Sequence, residues 1–101
     1  EEYITNEVID LDEAIGVAYE FAKQDGETLI VVTADHETGG MYLYGGDIKG
    51  RKVSAGFLEN GNHTGVMVPV FSYGPEAERF SGIHENTYFF GEFLNLLNIR
   101  E

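Results

Sequence analysis

The sequence predicts an α/β fold, and three observations predict it. An amphipathic helical stripe runs over about residues 10 to 24. After a short Asp-Gly turn comes an unbroken apolar run, Leu29-Ile30-Val31-Val32-Thr33. Helix, tight turn and continuous apolar strand form one step of a parallel sheet, whose strands are buried on both faces and so do not alternate. A second apolar run near residue 70 reads as another strand, and an aromatic stripe near the end of the chain reads as a last helix.

Each element has its own warrant. In the first helix Leu11, Ala14, Ile15, Ala18, Phe21 and Ala22 fall on one face. Asp10 or Asp12 serves its N-terminus, and Gly26 closes it. The strand spans about 28 to 33. From Gly39 to Gly65 the chain is punctuated by glycine around the patch Met41-Tyr42-Leu43-Tyr44, which reads as a strand followed by short extended pieces and loops. Val66 to Tyr73 is the next strand. Pro69 lacks an N–H and favours an edge or irregular position there, and Gly74-Pro75 ends the run. Glu76 to Gly82 reads as a turn or loop. Asn86 or Thr87 caps a last helix with Phe89, Phe90, Phe93, Leu94 and Leu97 on its apolar face. Ile99-Arg100-Glu101 is expected to fray. The Tyr and Phe residues are expected in the core. There is no internal repeat.

Composition narrows the function. The 101 residues suffice for one domain with a modest core. A formal net charge of −12 argues against a nucleic-acid partner, whose phosphates need Lys and Arg, and against a basic membrane-binding patch. An acidic chain that binds a phosphate ester must concentrate positive charge locally, and a metal cation is one way to do so. With no cysteine there is neither a disulfide framework nor a thiolate. No apolar stretch approaches a membrane span. Glu1-Glu2 is the opposite of a basic leader, and a mature product or a fragment would show no leader.

The chemistry gathers at Thr33-Ala34-Asp35-His36-Glu37-Thr38-Gly39-Gly40. Three charge-capable residues at the end of a buried strand are costly without partners. Strand carboxyl ends are where α/β folds bind ligands. Carboxylate oxygen and imidazole nitrogen are both good zinc ligands, so Asp35 and His36 form a candidate pair. A loop in which the carboxylate merely caps backbone donors explains the same residues. His63, in Gly61-Asn62-His63-Thr64-Gly65, is either a further ligand or an exposed loop histidine. Glu37 either orients His36 or a metal-bound water, or is a solvated loop carboxylate. His84 reads as structural or solvent-facing, and the acidic start (Glu1, Glu2, Glu7, Asp10, Asp12, Glu13) as a solvated face.

Taken together, the TADHETGG stretch, His63-Thr64-Gly65 leading into Val68-Pro69-Val70, then Gly74-Pro75, Phe80-Ser81-Gly82 and Asn86-Thr87 resemble the C-terminal part of bacterial alkaline phosphatases. The leading segment Glu7 to Ala14 is similar to the family segment that precedes that strand. The resemblance implies a three-layer α/β/α sandwich with a mostly parallel sheet and flanking helices. It implies hydrolysis of phosphate monoesters with two zinc ions and one magnesium, through a phosphoseryl intermediate, with an Arg clamping the phosphate. By match to the motif, Asp35 and His36 would bind the zinc beside the Ser, and His63 the other zinc. A two-metal clamp stabilises the attacking and leaving oxygens of such a displacement.

The departures shape the expectation. No Asp-Ser-Ala nucleophile motif is present, and the metal-bridging Asp, the phosphate-binding Arg and the magnesium Glu have no counterparts. Arg51, Arg79 and Arg100 match no catalytic position. In the family, the Asp and His that complete the second zinc site lie just ahead of a segment like Glu2-Tyr3. The expectation is a single segment, 1–101, from the C-terminal part of such an enzyme. It supplies metal ligands and has no turnover alone. Residues 37 to 62, 26 in all, separate His36 from His63. They leave room for only a short crown-like insertion at about 41–62, which puts the family's usual dimer contact in question, although a homodimer stays an expectation. The family implies a periplasmic or extracellular setting. Related metal-dependent phosphomutases also carry Asp-His after a strand but commonly continue with Gly. The alternative from another class is an autonomous acidic metal-binding or structural module without catalysis, whose open sheet edges favour association.

Overall fold

The computed structural model describes residues 2–58 and 61–99. Helix α1, Glu2–Asp25, opens the chain. It starts well before the predicted residue 10, and Asp10 and Asp12 lie inside it rather than at its cap. The physical reason is the stripe itself. Ile4, Val8, Leu11, Ile15, Ala18 and Ala22 continue one face at alternating spacings of four and three, so the helix propagates through exposed aspartates. Its end is as predicted. Gly26, at φ 72°, donates its N–H to the Ala22 carbonyl at 2.8 Å, the left-handed closure that glycine makes without strain. Asp25 Oδ2 then accepts the Glu27 N–H (3.2 Å) and the Thr28 hydroxyl (2.6 Å), turning the chain into the next strand.

That strand, β1, is Ile30–Val32, shorter than the predicted 28–33. Strands β2, Tyr42–Asp47, and β3, Lys52–Gly56, form an antiparallel hairpin whose register slips between Leu43 and Gly45. Strand β4 is Phe71–Tyr73 and pairs antiparallel with β1, Ile30 opposite Tyr73 and Val32 opposite Phe71. The predicted strand over 66–73 is therefore regular only in its last three residues. Pro69, which has no N–H to give a ladder, sits in the irregular part, and its carbonyl accepts the Thr33 hydroxyl at 3.1 Å. Both ladders among the described residues are antiparallel, so the parallel neighbour expected for β1 is not among these pairings.

Gly74 makes the turn after β4. At φ 107° it lies so close to the Thr28 carbonyl oxygen that no Cβ would fit. A 3-10 turn, Ala77–Phe80, occupies the predicted loop, with the Ser72 hydroxyl donating to Ala77 O at 2.8 Å. Helix α2, Tyr88–Leu96, follows at the predicted place. Thr87 precedes it but makes no side-chain cap. The first turn is joined instead through the Tyr88 N–H and Glu85 O at 3.0 Å.

Among the described residues, Ala22, Ala55 and Phe80 are the buried apolar side chains. Phe80 anchors an aromatic cluster that reaches α2 from the 3-10 turn, with ring centroids 5.9 Å from Phe89 and 5.7 Å from Phe93. The expectation that the Tyr and Phe residues form the core is overturned for many of them. Tyr3, Phe21, Tyr42, Tyr44, Phe71 and Phe90 are exposed, as is Leu97 from the predicted face of α2. Two small sheets and two helices offer too few covering layers, so one face of each element stays open.

Candidate metal site

Strand β1 delivers Thr33, Ala34, Asp35 and His36 to one end of the sheet. Asp35 Oδ1 accepts the N–H of His36 at 2.9 Å, a local turn that fixes the carboxylate beside the next residue's ring. Its second oxygen, Oδ2, lies 3.2 Å from His36 Nε2. The other ring nitrogen, Nδ1, is 2.9 Å from the Glu37 carbonyl oxygen. A carbonyl has no proton to give, so Nδ1–H is the donor, and in the neutral ring Nε2 carries the lone pair. Two acceptors then face each other. Either a proton on Nε2 or a shared cation satisfies that arrangement. The Asp35 side chain is 83% exposed and that of His36 38%, so an ion can reach them from solvent.

His63 arrives from the other loop. Its ring stacks on that of His36, centroids 3.5 Å apart and planes inclined by 22°. The structure thus brings together all three residues singled out from the sequence. It does not make them a single ligand set: among the described residues no three His, Cys, Asp or Glu side chains stand as a ready metal-holding group. The stacking explains this, because imidazole lone pairs lie in the ring plane and parallel rings cannot aim them at one point.

Glu37 orients His36 through its main-chain carbonyl, and its carboxylate is not a solvated one. Its Oε1 accepts the N–H groups of Gly40 (2.6 Å) and Met41 (3.2 Å). Its Oε2 accepts the N–H (2.9 Å) and the hydroxyl (2.6 Å) of Thr64. The Thr64 hydroxyl, followed by the Thr64, Gly40 and Met41 N–H groups, holds its carboxyl below the usual carboxylate range, against the desolvation that would raise it. Sequence reasoning weighed Glu37 as an orienting group for His36 but missed the tie of its carboxylate to Thr64. No local spacing connects residues 27 apart.

Asp35 and His36 also form part of the wall of a cleft of about 570 Å³ whose other sides come from the 65–70 segment, His84, Asn86 and Phe89. His84 is held in place as the sequence reading expected of a structural histidine. Its Nε2 bonds the Ser81 carbonyl at 2.8 Å, and its ring stacks on Tyr88 at 4.0 Å. Arg79 is committed to carboxylates, Glu76 at 2.6 Å and Glu92 at 3.2 Å, and these hold its guanidinium charged. Arg51 sits in the hairpin turn, and Arg100 lies outside the described residues.

The family model for alkaline phosphatase matches residues 3–56, more than half of the chain and the whole Asp35-His36-Glu37 stretch. The chain belongs to the alkaline phosphatase family. It is 37% identical over 110 residues to alkaline phosphatase H of Pseudomonas aeruginosa (strain UCBPP-PA14), a match covering 94% of this chain and 23% of that protein. It is similar in structure to alkaline phosphatase from the Antarctic bacterium TAB5, with a TM-score of 0.80 and 40% identity over 94% of this chain and 29% of that one. A variant of the TAB5 enzyme with Mg bound in its M3 site matches at a TM-score of 0.81 and 39% identity, over 95% of this chain and 30% of that one. The chain therefore spans about a quarter of the length of these alkaline phosphatases. The likeness supports an α/β fold. No helix among the described residues is long and apolar enough to cross a membrane.

Proposed function

We propose that this segment serves phosphate monoester hydrolysis by supplying metal ligands to an alkaline phosphatase site: Asp35 and His36 to one zinc, His63 to a second. The observation that carries the reading is the opposition of Asp35 Oδ2 and His36 Nε2 at 3.2 Å, with Nδ1 already committed to a carbonyl. Ligand bonds of about 2.0–2.2 Å at a tetrahedral angle put neighbouring donor atoms about 3.3–3.6 Å apart, and the observed separation lies just below that range. The Nδ1–H to carbonyl bond is also the support that ligating histidines ordinarily have. Bound there, zinc would supply Lewis acidity toward a phosphoryl oxygen and neutralise charge in a chain of net −12.

In this reading Asp35 and His36 hold one cation at the end of β1, Glu37 keeps their loop closed, and His63 faces the neighbouring position. Magnesium would be held by residues that this chain does not supply. The chain by itself has no turnover, because nothing in it matches the nucleophile or the phosphate clamp and Arg79 is occupied by Glu76 and Glu92. Residues 1–101 form a single segment of the C-terminal part of a three-layer α/β/α enzyme with a mostly parallel sheet, in which β1 gains its parallel neighbours from other segments. The open apolar faces of α1 and β4 support that placement. The hairpin within 41–62 is the short crown-like insertion, a homodimer is the assembly, and the setting is the periplasm or the exterior of the cell.

Zinc titration of the metal-free chain by calorimetry tests the reading, beside an Asp35→Ala/His36→Ala/His63→Ala variant. Binding that disappears in the variant is expected. Equal binding in both, or none in either, removes the claim that these side chains converge on metal within this segment. A second reading, a structural or interaction module without catalysis, draws on the stacked rings of His36 and His63. Turnover of an aryl phosphate by the chain with zinc and magnesium, abolished by Asp35→Ala, would contradict both the inactivity and that second reading.

A further inference from the structure

Among the described residues, no strand ladder joins the loop bearing Asp35 and His36 to the loop bearing His63. Beside the Leu58 N–H to Gly40 carbonyl bond (3.3 Å) and the Thr33 hydroxyl to Pro69 carbonyl bond (3.1 Å), a carboxylate spans the gap next to His63. Glu37 takes two N–H donors from its own loop, Gly40 and Met41, and two donors from the other, the N–H and hydroxyl of Thr64. We infer that Glu37 is a positioning residue: by gripping Thr64 it sets the ring of His63 against that of His36 and so fixes the spacing between the two halves of the metal site. Its purpose rests on the metal-ligand reading above, whereas its geometry does not.

Three features carry the inference. Thr64 directly follows His63, so a bond to the Thr64 N–H fixes the peptide plane that joins them and with it the direction in which the His63 side chain leaves the backbone. The grip is two-point: N–H at 2.9 Å and hydroxyl at 2.6 Å reach the same oxygen, Oε2, which restrains both the backbone and the side-chain torsion of Thr64. Glu37 also holds the other partner, since its carbonyl oxygen takes the Nδ1–H of His36 at 2.9 Å. One residue thus orients both rings, whose centroids end 3.5 Å apart.

Chemistry separates this role from direct ligation. An ionised carboxylate has about four lone-pair sites, and four donors occupy those of Glu37. A metal would have to displace them and open the loop. A glutamine of the same size keeps one acceptor oxygen and turns an NH2 group toward backbone N–H donors, either those of Gly40 and Met41 or that of Thr64, so one loop loses its N–H acceptor. A serine at position 64 keeps both donors, and a valine of nearly threonine's shape loses the hydroxyl.

The test uses the metal-free chain and its Glu37→Gln, Thr64→Val and Thr64→Ser variants. Proton NMR reads the cross-relaxation between the two imidazole rings and their mutual ring-current shifts. Exchange of the α1 and α2 amides reports whether each variant is folded. We expect Thr64→Ser to keep the ring contact, and Thr64→Val and Glu37→Gln to lose it with at least tenfold faster exchange at Gly40 and α1 protection unchanged. An unchanged ring contact in folded Thr64→Val overturns the inference, as does its loss in Thr64→Ser. If Glu37→Gln unfolds, the valine and serine pair still decides. Zinc titration of the same set expects affinity about 10–100-fold weaker in Thr64→Val than in Thr64→Ser, the usual effect of removing a group that supports a ligand. Absence of zinc binding in the unaltered chain would remove the claim that the ligands converge within this segment, while the ring contact would still judge Glu37.

Discussion

The loop from Thr33 to Met41 and the hairpin from Tyr42 to Gly56 are neighbours in sequence and opposites in construction. The hairpin has a strand ladder, broken once by the slip between Leu43 and Gly45, yet every residue of β2 is exposed and Ala55 alone is buried. The loop has no regular structure, yet its polar atoms are tied at Thr33, Asp35, His36 and Glu37, and Gly40 is buried. Secondary structure and local rigidity therefore part company here. A ladder whose bonds face solvent exchanges protein partners for water at little net gain, whereas donors gathered on one charged acceptor and partly shielded from water are costly to leave unmade. The candidate site is built from the second kind of order.

The sharpest way to break this comparison is Gly40→Ala. At φ 62°, with the Leu58 Cγ only 2.5 Å from where a Cβ would stand, an alanine meets both backbone strain and a clash, on the residue whose N–H closes the Glu37 bond. We expect a loss of about 2 kcal/mol or more in denaturant unfolding. Gly61→Ala is the matched control, since it shares a positive φ of 60° but a Cβ there meets nothing within 4 Å among the described residues; about 1 kcal/mol is expected. Equal midpoints for the two would mean that the loop is no more tightly packed than open chain. Next in size is Thr64→Ala, which strands one acceptor site of Glu37 and should cost about 1 kcal/mol; an unchanged midpoint would show that the tether contributes nothing to folding. The smallest effect belongs to the hairpin. Ile48, 97% exposed in the turn between β2 and β3, should accept serine within about 0.5 kcal/mol. A larger loss there would reveal a packed hairpin and reverse the contrast.

Much of the fold was legible in local pattern. The end of α1 at Gly26, the place of β1, the irregularity at Pro69 and the start of α2 after Thr87 are set by residues adjacent in sequence, where periodicity and turn chemistry act directly. The start of α1 was misread because aspartates that cap well also survive on an exposed helix face once the apolar stripe runs past them. The aromatic core was misread because hydrophobicity records a preference for burial and says nothing of whether a covering layer is present. At the site, Asp35, His36 and His63 were recognisable by residue type and family resemblance, and all three lie together. Glu37 was weighed as an orienting group for His36 but without Thr64, and so the tie of its carboxylate was invisible.

By itself, the sequence determined the local conformations and the chemical inventory: two helices, an apolar strand that ends in Asp35-His36, no cysteine, and a motif order shared with a family. These follow from steric and hydrogen-bonding rules that act within a few residues. The tertiary structure alone decided that β1 pairs antiparallel with β4, that the rings of His36 and His63 stack, and that one carboxylate joins their loops. Contacts between residues 27 or more apart close long loops at an entropic cost, and which partner repays it depends on the whole arrangement of competing donors and surfaces.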